Sequence, residues 1–138
     1  MTQTVTFYDA KLLYRYFDRR AKASIGLNPF RLGKVVWGKG NTTLINGAPS
    51  VAPIPSDLAA VEGVFLTNTP VYTYANGRIT VRATLKAGDI PVGQQFEFTT
   101  IGILDDANGL VAVLVSTPMW LHDKRSLVVE GYIDTNVA

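Results

Sequence analysis

The chain has 138 residues, of which 47% are hydrophobic and 17% charged, and its formal net charge is +2. This length suits one domain with a single core, and a surface poor in charge is typical of subunits that pack against others. Cysteine is absent and His122 is the only histidine, which excludes disulfides, thiolate metal sites and a multi-histidine site within one chain. We expect no cofactor.

The charge is unevenly distributed along the chain. Residues 1–40 have a formal charge of +6, whereas the remaining 98 residues have a formal charge of −4. A basic end can dock on an acidic partner or pair head to tail with another copy of the chain. Nucleic acid is the competing partner, but the sequence has neither a nucleic-acid-binding motif nor a stacking platform, so we expect no nucleic-acid binding.

The sequence also bears on location. No apolar run approaches the roughly 20 residues that span a bilayer, and the N-terminus lacks the apolar region of a signal peptide. We therefore expect no membrane insertion, and synthesis and assembly in the cytoplasm.

The first predicted element is a helix over residues 8–22. At about 100° per residue its apolar side chains form one stripe that should be buried against the domain, namely Ala10, Leu13, Tyr14, Phe17 and Ala21. Leu12 and Tyr16 lie off this stripe, which indicates either a broad core face or contact with a second subunit. Together with the nearby cations they define the candidate assembly interface, which consists of Leu12, Arg15, Tyr16, Arg19 and Lys22.

A short strand over residues 32–37 should follow the helix. The sequence Gly38-Lys39-Gly40-Asn41 is interpreted as a turn, because a phosphate-binding P-loop needs Ser or Thr directly after its lysine. Residues 42–60 are rich in proline and poor in charge. They are predicted to form an extended connection that crosses the surface or reaches a neighbour.

From residue 61 onward the chain has the pattern of an antiparallel β body, which we place at residues 61–135. Polar and apolar side chains alternate over residues 78–85, as in a strand with one buried and one solvated face. Asn76-Gly77 directly before it is a strong tight-turn signal. Further strands are predicted over residues 62–68, 71–74, 96–104, 110–117 and 126–135.

These elements predict the fold class α+β, mainly β. One N-terminal helix should be followed by an antiparallel β-sandwich or barrel-like domain, and no linker divides residues 1–138, so we expect a single domain.

The polar residues that could belong to a catalytic or metal site are better explained as turn residues. Asp105, Asp106 and Asn108 lack the register of a calcium loop, and Asp or Asn before Gly favours a hairpin turn on the surface. His122-Asp123 could belong to a catalytic triad, but no Gly-x-Ser-x-Gly segment supplies a nucleophile. We therefore expect no enzyme, no catalytic residue and no metal site, and only small effects on folding when Asp105, Asp106 or His122 is replaced by Ala.

The aromatic residues support an alternative function. Trp37 and Trp120, with six Tyr and six Phe, are enough for a sugar-binding surface, although a β-rich core uses the same residues. A carbohydrate-binding, receptor-binding β module is therefore the second hypothesis.

Three segments carry a family resemblance, and they follow the helix in a fixed order. They are residues 31–41 (RLGKVVWGKGN), 77–85 (GRITVRATL) and 100–113 (TIGILDDANGLVAV), with the proline-rich connection after the first. In this arrangement the chain resembles the N-terminal domain of phage tail-collar fibre proteins over residues 8–133. It departs from that family at Lys39, Thr100 and Leu104, where the family often has Asp, Glu and Phe.

The resemblance implies a virion structural protein, a tail-fibre or tail-collar type adaptor that attaches receptor-binding fibres to the phage tail baseplate. It implies a homo-oligomer, a trimer above all, with baseplate and tail-fibre proteins as partners and the virion tail as location, after assembly in the host cytoplasm. Members of that family usually continue into a long trimeric shaft. Because this sequence stops at Ala138, we expect a short adaptor.

Overall fold

The computed structural model describes residues 2–40, 42–51 and 54–134, with side chains described for residues 10–40, 46–48, 54–116 and 118–134. Strands dominate these residues, so the predicted class, α+β and mainly β, is confirmed. In chain order the elements are β1 (Thr2–Asp9), β2 (Lys11–Leu12), α1 (Tyr14–Ser24), β3 (Leu32–Lys39), β4 (Thr42–Ile45), β5 (Ala48–Val51), β6 (Glu62–Asn68), β7 (Val71–Ala75), β8 (Arg78–Leu85), β9 (Gln95–Asp105), β10 (Leu110–His122) and β11 (Ser126–Asp134). Within the described part of the chain, no helix is both long enough and apolar enough to cross a bilayer.

The strands form two main sheets and a separate hairpin. The first sheet has the strand order β1-β11-β8-β7, and the second sheet has the order β2-β10-β9-β3-β6. Strands β4 and β5 pair with each other. Side chains from both main sheets meet in one core, in the manner of a β-sandwich. The fully buried members include Trp37, Leu85, Phe98, Leu114 and Ile133.

The hairpin of β7 and β8 confirms the prediction from local pattern. Asn76 and Gly77 have φ angles of 50° and 80°, the left-handed pair that a tight two-residue hairpin turn requires. Alternate side chains of β8, namely Val81, Ala83 and Leu85, are buried in the core. The predicted period of two therefore matches the observed inner face.

The beginning of the chain corrects the prediction of a helix over residues 8–22. The helix starts only at Tyr14, and residues 2–9 form β1, which pairs in parallel with β11. The backbone N–H of Ala10 donates to the carbonyl of Tyr132 at 2.8 Å, and that of Leu13 to the carbonyl of Val111 at 2.9 Å. Partners in β11 and β10, far away in sequence, thus hold this backbone extended, against its helical side-chain period.

The segment over residues 42–60 also differs from the predicted extended connection. Residues 42–51 form the β4–β5 hairpin, with positive φ at Asn46 and Gly47 in its turn. Residues 54–60, and Val61 directly after them, cross the outer face of the second sheet. There Ile54, Leu58 and Val61 pack in one cluster with Leu110 and Val113. Residues 54–60 therefore cover part of that face.

Glycines in the second sheet make room for this crossing segment. A Cβ at Gly102 would lie 2.6 Å from the Val61 side chain and 2.8 Å from that of Leu110, too close for any real contact. Gly38 has the same relation to Val61. The close approach therefore depends on residues without a side chain.

Candidate assembly surface

The helix α1 is fixed to the sandwich at its start. Leu13 is its N-cap residue, with an extended backbone and a fully buried side chain. The N–H of Tyr14 donates to the carbonyl of Ser56 at 2.8 Å, which joins the helix to the crossing segment. At the other end, Gly26 has a φ of 77° shortly after Ser24, and this left-handed residue helps to stop the helix.

Tyr16 forms the inner face of α1, although the sequence placed this residue at an intermolecular interface. Tyr16 is only 4% exposed, belongs to the core, and meets the ring of Phe30 edge to face at 5.4 Å. Leu12 lies in β2 rather than in the helix and is half-buried against the same core. Neither Leu12 nor Tyr16 is therefore available as the predicted anchor. The reason is that β2 precedes the helix, so helical spacing does not relate Leu12 to Tyr16.

The outer face of α1 carries the apolar residues that the sequence had assigned to burial. Tyr14 is 67% exposed and Phe17 46% exposed, and Ala21 is also exposed. Ile25, directly after the helix, is exposed as well. We call these four residues the outer stripe. The predicted buried stripe is thus wrong for Tyr14, Phe17 and Ala21, although Leu13 is buried as expected.

The predicted cations of the helix mostly bind within the domain. Arg15 Nε lies 2.6 Å and Arg19 Nη1 2.7 Å from Oδ2 of Asp105, and Arg19 Nη2 lies 3.1 Å from Oδ1 of Asp106. The side chain of Asp105 is fully buried. We call Arg15, Arg19, Asp105 and Asp106 the Arg–Asp cluster. It ties α1 to the turn between β9 and β10.

Asp105 also organises that turn. Its Oδ1 accepts hydrogen bonds from the backbone N–H groups of Ala107 and Gly109, each at 2.9 Å, and Asn108 has a left-handed φ of 63°. Arg15 passes directly over Gly109, where a Cβ would collide with its guanidinium group. The predicted turn is confirmed, but its placement on the surface is wrong for Asp105, because two arginines from a distant helix cover it.

The ionisation of Asp105 follows from these contacts. Burial alone would raise the pKa of this carboxyl, but hydrogen bonds from Arg15 and from the Gly109 and Ala107 backbone outweigh it, together with the charge of Arg15. The pKa of Asp105 is therefore held below its ordinary value. The cluster acts as a structural ion-pair network, and the described residues contain no group of three or more His, Cys, Asp or Glu arranged to hold a metal ion.

Among the cations of α1, Lys22 is paired within the helix, whereas Arg20 lies beside the outer stripe. Lys22 Nζ lies 2.9 Å from Oδ2 of Asp18, one helical turn away. Arg20, which the sequence did not single out, places its guanidinium carbon 5.5 Å from the ring centres of both Tyr16 and Phe17. Arg20 is exposed and borders the outer stripe at Phe17.

Comparison with known proteins identifies the family. A family model described as Bacteriophage P1 tail fiber protein R matches residues 1–133. The protein called "Tail fiber protein R" of Escherichia phage P1 is 31% identical over 140 residues, which cover 98% of this chain and 97% of that relative. The chain belongs to this family. No solved structure matches it.

Family membership confirms the resemblance to phage tail-fibre proteins drawn from residues 8–133. Because the match runs over nearly the whole of both chains, it includes α1, the turn between β9 and β10 and both main sheets. The chain is thus a tail-fibre structural protein by family, and the outer stripe is a surface of such a protein.

The two tryptophans, which the sequence treated alike, have different environments. Trp37 is fully buried, and its Nε1–H donates to Oδ1 of Asn68 at 3.0 Å. Trp120 is 53% exposed on β10. Of the pair, Trp120 alone presents its ring to solvent.

Residues important at the candidate surface were hard to find from sequence. Asp105 is buried only because Arg15 and Arg19 approach it, and nothing in the local sequence signals that approach. The exposure of Tyr14 and Phe17 did have a signal. Leu13 and Tyr16 are three positions apart, only about 60° from each other around a helix, so they could have formed a buried face of their own.

Proposed function

We propose that this chain is a non-enzymatic adaptor of the phage tail, which attaches receptor-binding fibres to the tail baseplate. Its membership of the tail fiber protein R family supports a structural role in the tail fibre. The observation that carries the assembly role is the exposure of Tyr14 and Phe17 on a helix whose opposite face is anchored in the core. In this proposal the protein functions in the virion tail after assembly in the host cytoplasm.

The outer stripe has the composition of a protein interface. Two large aromatic side chains stand on one helix face, and aromatic residues are enriched in the buried centres of interfaces. Burying such side chains against a partner removes apolar surface from water, which favours association. Arg20 at the border can add a cation–π or ionic contact at the rim.

The attachment of α1 to the sandwich also favours an interface. Arg15 and Arg19 hold the helix on the turn between β9 and β10, and Leu13 holds its first residue on β10. A helix fixed in this way loses little conformational entropy when its outer face is covered. We therefore propose α1 as the assembly element, with Tyr14 and Phe17 in the role that the sequence gave to Leu12 and Tyr16.

We propose that the occupant of the outer stripe is another copy of the chain, in a homotrimer that then binds the fibre and the baseplate. A closed ring of identical subunits buries the same apolar face in every copy. Fibre and baseplate proteins bind other surfaces of the trimer in this arrangement. Interactions through Arg20 should weaken with salt, because exposed charges are screened beyond about 8 Å at physiological ionic strength.

The test is the solution mass of the purified protein, measured by size exclusion with light scattering. We expect the mass of three 15.0-kDa chains for the natural sequence. The double variant Tyr14→Asp with Phe17→Asp should remain folded and have the mass of one chain, since a carboxylate buried at an interface without a partner is costly. Val92→Asp is the matched control, because Val92 is exposed and lies outside the stripe; it should leave the mass unchanged.

A second measurement tests the adaptor role itself. The natural chain should co-purify with tail-fibre and baseplate proteins encoded by the same phage, when they are expressed together. A natural chain that stays monomeric would contradict the proposed trimer. A natural chain that retains none of these tail proteins would contradict the adaptor role, whatever its mass.

A further inference from the structure

A second surface of the molecule is a groove that lies outside the outer stripe and shares no residue with it. The groove has a volume of about 490 Å³ and lies beside β6, β9 and β10. The lining residues that matter here are Lys39, Phe65, Gln95, Phe96, Glu97 and Trp120. It combines exposed aromatic surface with polar groups of three kinds.

The aromatic part of the groove is held by the sheets. Trp120 stands opposite Glu97 in the antiparallel pair of β10 and β9, so both side chains point to the same face of the sheet. Phe65 and Phe96 stack with ring centres 4.9 Å apart and planes within 5° of parallel. Both phenylalanines are half-buried against the main core. Phe96 alternates with Glu97 along β9, so the stacked rings lie toward the core and support the groove, while the half-exposed indole of Trp120 is its outward-facing aromatic surface.

The polar part of the groove indicates which ligand fits. Lys39 supplies an ammonium donor, Glu97 a carboxylate acceptor, and Gln95 an amide with both a donor and an acceptor. The formal charges of Lys39 and Glu97 cancel, so the groove offers hydrogen bonds of both directions without a net charge. A phosphate would meet the carboxylate of Glu97, and a purely apolar ligand would leave these polar groups unpaired.

We propose that this groove binds a neutral saccharide. One face of a pyranose ring is formed by C–H groups and can lie against the Trp120 indole, while its hydroxyls both donate and accept hydrogen bonds. Gln95, Glu97 and Lys39 line the same groove and supply both donors and acceptors for those hydroxyls. Ligand sites generally have this composition, with aromatic walls and a few convergent polar groups.

The two tryptophans of the chain allow a direct test. Trp37 is buried, so quenching of fluorescence by acrylamide reports mainly on the exposed Trp120. Neutral oligosaccharides of glucose, galactose or N-acetylglucosamine should be titrated into the natural protein, with inorganic phosphate as the anionic comparison. We expect at least one oligosaccharide to protect Trp120 from acrylamide in a saturable manner, and phosphate to give no protection.

Variants assign the binding to this groove, with affinity measured by calorimetry. Trp120→Ala should abolish binding, and Glu97→Gln should weaken it about tenfold, the equivalent of about 1.4 kcal/mol. Tyr74→Ala is the matched control, because Tyr74 is an exposed aromatic residue on β7 outside the groove; it should bind like the natural protein. If Trp120→Ala does not fold, the affinity of Glu97→Gln decides the matter.

Four results would overturn the proposal. They are the absence of saturable protection by every oligosaccharide, stronger protection by phosphate, unchanged affinity in both groove variants, and self-association that needs Trp120 in a protein that binds no saccharide. The last result would assign the groove to contact between copies of the chain.

Discussion

Nε of Arg15, on the helix, lies 2.6 Å from Oδ2 of Asp105, which is 90 positions further along the chain at the end of β9. Arg19 Nη1 donates to the same oxygen at 2.7 Å. Two guanidinium groups thus converge on one carboxylate whose other oxygen closes the turn between β9 and β10. The orientation of α1, and with it the direction of the outer stripe, depends on this contact.

Removing the shared carboxylate should therefore be costly, in contrast to the small effect that the sequence predicted for Asp105→Ala. Asp105→Ala leaves Arg15 and Arg19 without their central partner and frees the N–H groups of Ala107 and Gly109. We expect a loss of about 1–3 kcal/mol in the free energy of unfolding, because the two backbone N–H groups lose their acceptor while the partly exposed guanidinium groups can regain water. The matched change Asp106→Ala, at a half-exposed side chain 3.1 Å from Arg19, should cost less than about 1 kcal/mol. Urea unfolding followed by circular dichroism measures both, and equal losses would show that Asp105 has no special role.

The same carboxylate should make stability depend on pH. The pKa of Asp105 is lowered in the folded state, so its ionised form favours folding. This contribution is fully present above the unfolded pKa of about 3.9 and is lost as the pH falls through the folded value. Urea unfolding of the natural protein should show this loss as the pH is lowered below about 4. Asp105→Asn, which cannot titrate, should show a shallower decline over the same range; parallel curves for the two proteins would contradict this assignment.

Local patterns predicted the hairpin of β7 and β8, because its turn residues and its period of two are determined by neighbours in sequence. They missed β1, whose partner β11 lies at the other end of the described chain. A signal was present, since residues 2–8 (TQTVTFY) are rich in the β-branched and aromatic residues that strands favour. The helical period of residues 8–13 outweighed it, and the predicted helix therefore began too early.

The candidate surface was also predicted only in part, because contacts with residues distant in sequence decide which face of α1 is buried. Helical spacing divides α1 into faces, but it does not say which face meets the core. That choice depends on Phe30 and the sheets, which bury Tyr16 and leave Phe17 in solvent. Likewise, the sequence named Trp37 and Trp120 together, and the fold alone separates a core residue from an exposed one.

Neighbouring aromatic residues on α1 should respond differently to truncation. Tyr16→Ala removes a buried ring from the core and should cost about 3–5 kcal/mol in the free energy of unfolding. Phe17→Ala removes a half-exposed ring and should cost at most about 1 kcal/mol when measured on dilute, monomeric protein. Thermal melting of each variant provides the comparison. A larger loss for Phe17→Ala than for Tyr16→Ala would mean that the two faces of the helix are assigned the wrong way round.

Asn68 should be the polar residue on which the packing of Trp37 depends. It accepts from Nε1–H of Trp37 at 3.0 Å and donates through Nδ2 to the carbonyl of Thr84 at 2.8 Å, so it links the second sheet to β8 of the first. Asn68→Ala leaves the buried indole N–H without a partner, which should cost about 1–3 kcal/mol. It should also shift the fluorescence of Trp37, recorded in a Trp120→Phe background to remove the second emitter. Asn28→Ala, at an exposed loop position, is the control and should change neither quantity. An unchanged Trp37 spectrum and unchanged stability in Asn68→Ala would show that the contact between Asn68 and Trp37 contributes nothing to the fold.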